Sequence, residues 1–172
     1  MTWLSALSDL LARVERWASR LLVVGFVGLI VANVTMRYVL ARPIVYAEEV
    51  AAIMLVWLAF VAISISIHDR RQIGVTLLVE RLSPATRHIV DLVVLGLVAA
   101  ILATLLWTSV KWVLSPAVAF EQIITLGLPK SPYYWIVPIF SVSALIHVLA
   151  DLAEGLAGRT NIELSTDKEA EA

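Results

Sequence analysis

Residues 37–50 read RYVLARPIVYAEEV, a charged and aromatic patch wedged between two long apolar runs. Arg37 and Arg42 stand before Pro43; Glu48 and Glu49 stand after it. A cation at the end of one helix faces that helix's negative pole, and an anion at the start of the next faces a positive pole. Each such contact contributes roughly 0.3–1 kcal/mol. The stretch therefore reads first as the turn of a helical hairpin, with partner contact and substrate handling as the functional alternatives. At helical spacing, Glu48 is expected to face a neighbouring helix. Glu49 lies about 100° further around the helix and is expected to reach Arg37 or Arg42.

The runs on either side identify the medium. The 172 residues are 60% hydrophobic and 16% charged, against about a quarter charged in an ordinary soluble domain. The mean hydropathy is +0.90, and the charges are segregated between apolar blocks. This is the pattern of an all-α integral membrane protein. The formal net charge of −1, with no basic domain, gives no footing for nucleic acid. The absence of cysteine removes thiol nucleophiles, disulfide exchange, Cys-ligated zinc and iron–sulfur clusters together.

Four transmembrane helices are expected, at about 21–36, 50–67, 89–113 and 133–152, together forming a membrane domain over 21–155. Each approaches the roughly 20 apolar residues needed to cross a bilayer. They must be helices, because lipid leaves separate spans no other way to satisfy their backbone. Ser83-Pro84 and Ser131-Pro132 both read as an N-cap serine followed by a proline at the first helical position. The first pair lets the third helix begin well ahead of the lipid. Pro138, inside the fourth span, is expected to bend it.

Residues 1–20 carry Trp3, Leu4, Leu7, Leu10, Leu11, Val14 and Trp17 on one helical stripe, with Asp9, Arg13, Arg16 and Arg20 opposite. They read as an amphipathic helix lying in the membrane interface. No short apolar core with a small-residue cleavage site precedes the first span, which is expected to remain as an anchor. Val75, Leu78, Val79 and Leu82 suggest a second short amphipathic helix in the connection between helices two and three. Residues 156–172 form a polar tail expected to be disordered. Lysine and arginine divide nine to four between alternate connections. The larger share includes Arg13, Arg70 and Lys168, so both termini and the 70–87 connection are expected in the cytoplasm, with Pro43 outside.

Small residues mark packing faces. Glu48, Ala52, Leu55, Ala59, Ala62 and Ser66 share one face of the second span; Gly25, Gly28, Ala32 and Thr35 mark the first, with Asn33 as a polar group for burial. Such faces serve internal packing or docking onto another membrane protein. His68, His88 and His147 show no facing pair at one depth, so they read as interfacial polar residues, and no metal or other cofactor is expected. No ionisable residue falls in the middle of a span and no inverted repeat is visible. A chain that carried its own substrate would normally show both. Any transport pathway is therefore expected in another chain.

These residues resemble a known family, the DctQ-like small membrane subunit of tripartite ATP-independent periplasmic (TRAP) transporters. The likeness covers roughly residues 20–155 and begins with NVTMRYVLARPIVYAEEV, where Asn33, Arg37, Tyr38, Pro43, Glu48 and Glu49 match the family's pattern. Trp57 and Phe60 in MLVWLAFVA continue it, followed by the basic RRQIGVTLLVERLSP. LGLPKSPYYWIVP closes it with Leu126, Gly127, Pro129 and Pro138. The chain departs from the pattern at Gln72, Thr76 and Ser64, where histidine, an acid and glycine are common. The resemblance implies a non-enzymatic subunit of the bacterial inner membrane. It would pair with a large (DctM-like) subunit that carries the substrate and sodium sites, and with a periplasmic (DctP-like) solute-binding protein. Surrounding membrane lipid completes its contacts. It further implies ion-gradient-driven uptake of an organic acid such as a C4-dicarboxylate, with Asn33, Arg37, Tyr38, Arg42, Pro43, Glu48, Glu49 and Trp57 as partner-contact or hairpin residues. A structural or electron-transfer membrane subunit unrelated to uptake is the alternative.

Overall fold

A computed structural model describes residues 3–69 and 84–156. The expected amphipathic helix at Val75–Leu82 and the tail beyond Leu156 lie outside those residues. The elements are α1 (Trp3–Val39), α2 (Ala47–His68), α3 (Pro84–Val113), the single turns α4 (Pro116–Ala119) and α5 (Ser131–Tyr134), and α6 (Ile136–Leu156). Four stretches, Trp3–Val39, Ala47–His68, His88–Val113 and Ser131–Leu156, are long and apolar enough to cross a membrane. The chain is thus an all-α, multi-pass membrane protein.

The separate helix expected over residues 1–20 is not separate. α1 runs unbroken through Arg20 and Leu21 for 37 residues, about 55 Å at 1.5 Å per residue. No proline or glycine interrupts Ser19-Arg20-Leu21-Leu22, and the Ser19 hydroxyl bonds back to the Arg16 carbonyl at 3.0 Å instead of capping a new helix, so nothing ends the hydrogen-bond ladder there. Trp3, Leu10, Val14 and Trp17 remain exposed along one side, whereas Ser8 and Ala12 are buried against the rest of the molecule.

The hairpin forms as its residues require. α1 ends at Val39, Ala41 takes the left-handed conformation at φ 49°, and the Arg42 N–H reaches the Met36 carbonyl at 3.0 Å. α3 begins at Pro84, the proline that marked its start in the sequence.

The fourth span differs in detail. Its interruption falls at Trp135, between α5 and α6, and Pro138 occupies the first turn of α6. A proline's missing N–H costs nothing in a first turn, and its ring excludes a regular carbonyl four residues back. The break therefore precedes Pro138 instead of bending the helix at it.

α6 is the shared helix. α1, α2 and α3 all pack against it, α1 also packs on α2, and half of the apolar window of the fourth span is buried. The core gathers Leu102, Phe140, Ala144 and Val148, supported by Phe60, Ile67 and Leu95. Phe60 and Phe140 meet with ring centroids 5.2 Å apart.

Candidate partner-docking surface

At the hairpin end, polar side chains fasten the turns. Asn33, buried on α1, accepts a hydrogen bond from the Ile44 N–H at 2.9 Å, so the last turns of α1 hold the far side of the hairpin. The Arg37 guanidinium donates to Glu48 at 3.2 Å. Both side chains are largely exposed, which limits the pair to about 0–1 kcal/mol. The hairpin pairing expected of Glu49 is therefore made by Glu48. Glu48 pairs with Arg37, and Glu49 leaves the hairpin altogether. Its carboxylate accepts from the Thr125 hydroxyl at 2.6 Å and from the Ile124 and Thr125 N–H groups at 3.3 Å. The reason is geometric: the connection after α3 folds back over the start of α2 and presents two unpaired amides there.

That connection is a compact turn. Gln122 and Pro129 face each other as an antiparallel bridge, Gly127 sits at φ 64°, and Ile123 is fully buried. A side chain at Gly127 would strain the backbone, which explains glycine at the tip. Beside the helix break, the Tyr133 carbonyl accepts the Trp57 indole N–H at 3.0 Å. Trp57 thus fastens α2 to α5. Tyr38, Arg42 and Pro43 are exposed on the hairpin.

The small-residue faces separate into inner and outer sets. Gly25 meets α2 so closely that a Cβ would lie 2.7 Å from the Met54 methyl carbon. Nothing lies within 4 Å of a Cβ built on Gly28, and Ala32, Ala52, Ala59 and Ala62 are exposed. The residues of α2 buried within the chain are Ala47, Ala51 and Ser64. The stripe beginning at Glu48 consequently points away from the bundle. Internal packing uses the adjacent face, one residue around.

The opposite end holds a polar cluster that the sequence did not disclose. Glu15 of α1 accepts hydroxyl hydrogen bonds at 2.6 Å from both Ser64 of α2 and Ser143 of α6, and lies 3.4 Å from Nε2 of His147. Ser8 lies 2.7 Å from Nδ1 of the same ring. With the proton assigned to Nε2, the ring donates to Glu15 and accepts from the Ser8 hydroxyl, so each group is satisfied. One turn further out, His68 lies 3.1 Å from Asp9 and 3.2 Å from Asp69, and Arg16 bonds Asp69 at 2.6 Å. Burial pushes the Asp69 carboxyl up, but the His68 hydrogen bond and the Arg16 charge outweigh it and hold the pKa below its ordinary value.

The expectation that no two histidines face each other is corrected: His147 meets His68 edge-on, with ring centroids 5.0 Å apart. His147 is fully buried and central to the contact of three helices. Glu15 was the missed residue, because its partners Ser64, Ser143 and His147 stand on two other helices. Among the described residues, no three His, Asp or Glu side chains converge as metal ligands would.

Four apolar helices long enough to cross a membrane, braced at both ends by polar contacts and with small residues exposed on α1 and α2, define a multi-pass membrane protein. The chain belongs to the DctQ component family of the tripartite ATP-independent periplasmic transporters, whose pattern it matches over residues 26–158. It is also 26% identical over 113 residues to the isethionate TRAP transporter permease protein DctMQ of Oleidesulfovibrio alaskensis. That alignment takes in 66% of this chain and 18% of the relative, so the chain spans under a fifth of that protein's length.

Proposed function

We propose that this chain is the scaffold component of a TRAP transporter, seating a large transport subunit on the outward faces of α1 and α2 and helping receive a periplasmic binding protein at the hairpin end. One observation carries the reading: the stripe through Ala59 and Ala62 is exposed, although its small residues suit close helix contact. The relative named a permease is far longer than the stretch it shares with this chain, which supports a second component that carries out transport. The nine-to-four division of basic residues supports cytoplasmic termini in the inner membrane, with Pro43 and Pro129 in the periplasm.

The solute in this proposal is a small organic acid, isethionate being what the relative's name states for that protein. A C4-dicarboxylate and sodium coupling are the further expectations from family resemblance. The chain carries no substrate itself and catalyses no reaction. Reconstitution tests this. In liposomes with an ion gradient and a binding protein, the chain alone should give no uptake, and adding the large subunit should start it. Uptake by this chain alone would contradict the proposal.

A further inference from the structure

α2 and α3 both rest on α6, and at the hairpin end a cleft of about 300 Å³ opens between them. Its walls include Ala52, Val56 and Trp57 of α2, Trp112 of α3 and Tyr133 of α5. Val56 and Trp112 are about half exposed, at 50% and 46%, so the cleft has an open side. Lys130 lines the same space. Its ammonium makes no hydrogen bond or ion pair among the described residues. Glu49 lines the cleft as well; its carboxylate accepts from Thr125 and Ile124 and feels the Lys130 charge at longer range.

We propose that this cleft is a binding site for one anionic phospholipid, with an acyl chain against Ala52, Val56 and Trp57 and the phosphate on Lys130. Three features favour a lipid. The wall is almost wholly apolar, so it suits hydrocarbon. Trp112, Tyr133 and Tyr134 gather near the hairpin-side ends of their helices, where aromatic residues favour headgroup level. A lysine at that depth is attracted to lipid phosphate. Lys111, the other lysine at this end, lies over the Trp107 ring at 4.4 Å and outside the cleft lining, so it serves as an internal control. The proposal rests on the membrane fold and not on the transport role.

The test is native mass spectrometry of the full chain in mild detergent, titrated with phosphatidylglycerol or phosphatidylcholine. One phosphatidylglycerol should bind, preferred by about fivefold, the contribution of one lysine near an anionic lipid surface. Lys130→Gln should abolish the preference, Lys111→Gln should keep it, and Ala52→Phe should remove binding of both lipids. Equal binding of the two lipids by the unaltered chain, or wild-type behaviour of Lys130→Gln, would overturn the proposal. So would a photo-crosslinker at position 56 that, in the assembled transporter, captures a protein chain instead of lipid.

Discussion

Glu49 holds Thr125 by two hydrogen bonds, 2.6 Å to its hydroxyl and 3.3 Å to its N–H, across 76 residues of sequence. The contact joins the start of α2 to the turn that follows α3, so one acid helps fix the shape of the whole hairpin end. Replacing it should be felt in the turn first. In Glu49→Ala, the amides of Ile124 and Thr125 should exchange with solvent much faster, while the amides of α2 and α6 keep their protection. Unchanged exchange at 124 and 125 would show that the turn stands without Glu49.

Trp57 gives a narrower test of the break before α6. Trp57→Phe keeps the ring and removes the donor to the Tyr133 carbonyl. The expected loss is about 1 kcal/mol, the net worth of a typical hydrogen bond. It should appear as a lower unfolding temperature in detergent, with recovery of the large subunit unaltered. A stability equal to wild type would mean that water replaces the indole.

The polar cluster at the other end predicts a larger effect. Glu15→Ala leaves the fully buried His147 ring and the Ser64 and Ser143 hydroxyls without their acceptor. Stranded buried polar groups cost about 1–3 kcal/mol each. The variant should unfold well below Ser8→Ala, which removes a single hydroxyl. Equal stability of the two variants would contradict the central position given to Glu15.

Asp69 adds an acid dependence. Its folded pKa lies below the ordinary value because the His68 hydrogen bond and the Arg16 charge outweigh burial. A depressed carboxylate pKa stabilises the folded state fully above the unfolded value of about 3.9, and that contribution is lost as pH falls through the folded value. Unfolding temperature measured from pH 6 down to pH 3 should therefore fall less steeply in Asp69→Asn than in wild type. Parallel curves would remove Asp69 from the contact between α1 and α2.

Much of this architecture was legible in the sequence, for identifiable reasons. Long apolar runs fix spans because a bilayer admits only helices of a certain length. Pro84 marked the start of α3 because a proline suits a first turn. Sequence periodicity shows that a face exists but not what covers it. The spacing of the small residues marks a face of α2 in the sequence, but the inward row is Ala47, Ala51 and Ser64 and not the row through Ala52 and Ala59. The partners of Glu48 and Glu49 depended on how the turn after α3 folds back, which no local signal carries. Glu15 was hidden for the same reason: its three partners come from two other helices.

The outward face of α1 and α2 is the feature on which the scaffold reading depends most. Ala59 and Gly28 lie on it, and neither substitution below removes a contact within the chain. Ala59→Phe and Gly28→Phe should leave the unfolding temperature of the isolated chain nearly unchanged. In a close helix interface an intruding ring costs roughly 1–3 kcal/mol, which is roughly 5–150-fold in affinity. The decisive measurement is the amount of large subunit that co-purifies with each tagged variant in detergent. Strong loss of recovery with an intact chain is the predicted result; wild-type recovery with both variants would contradict docking on this face.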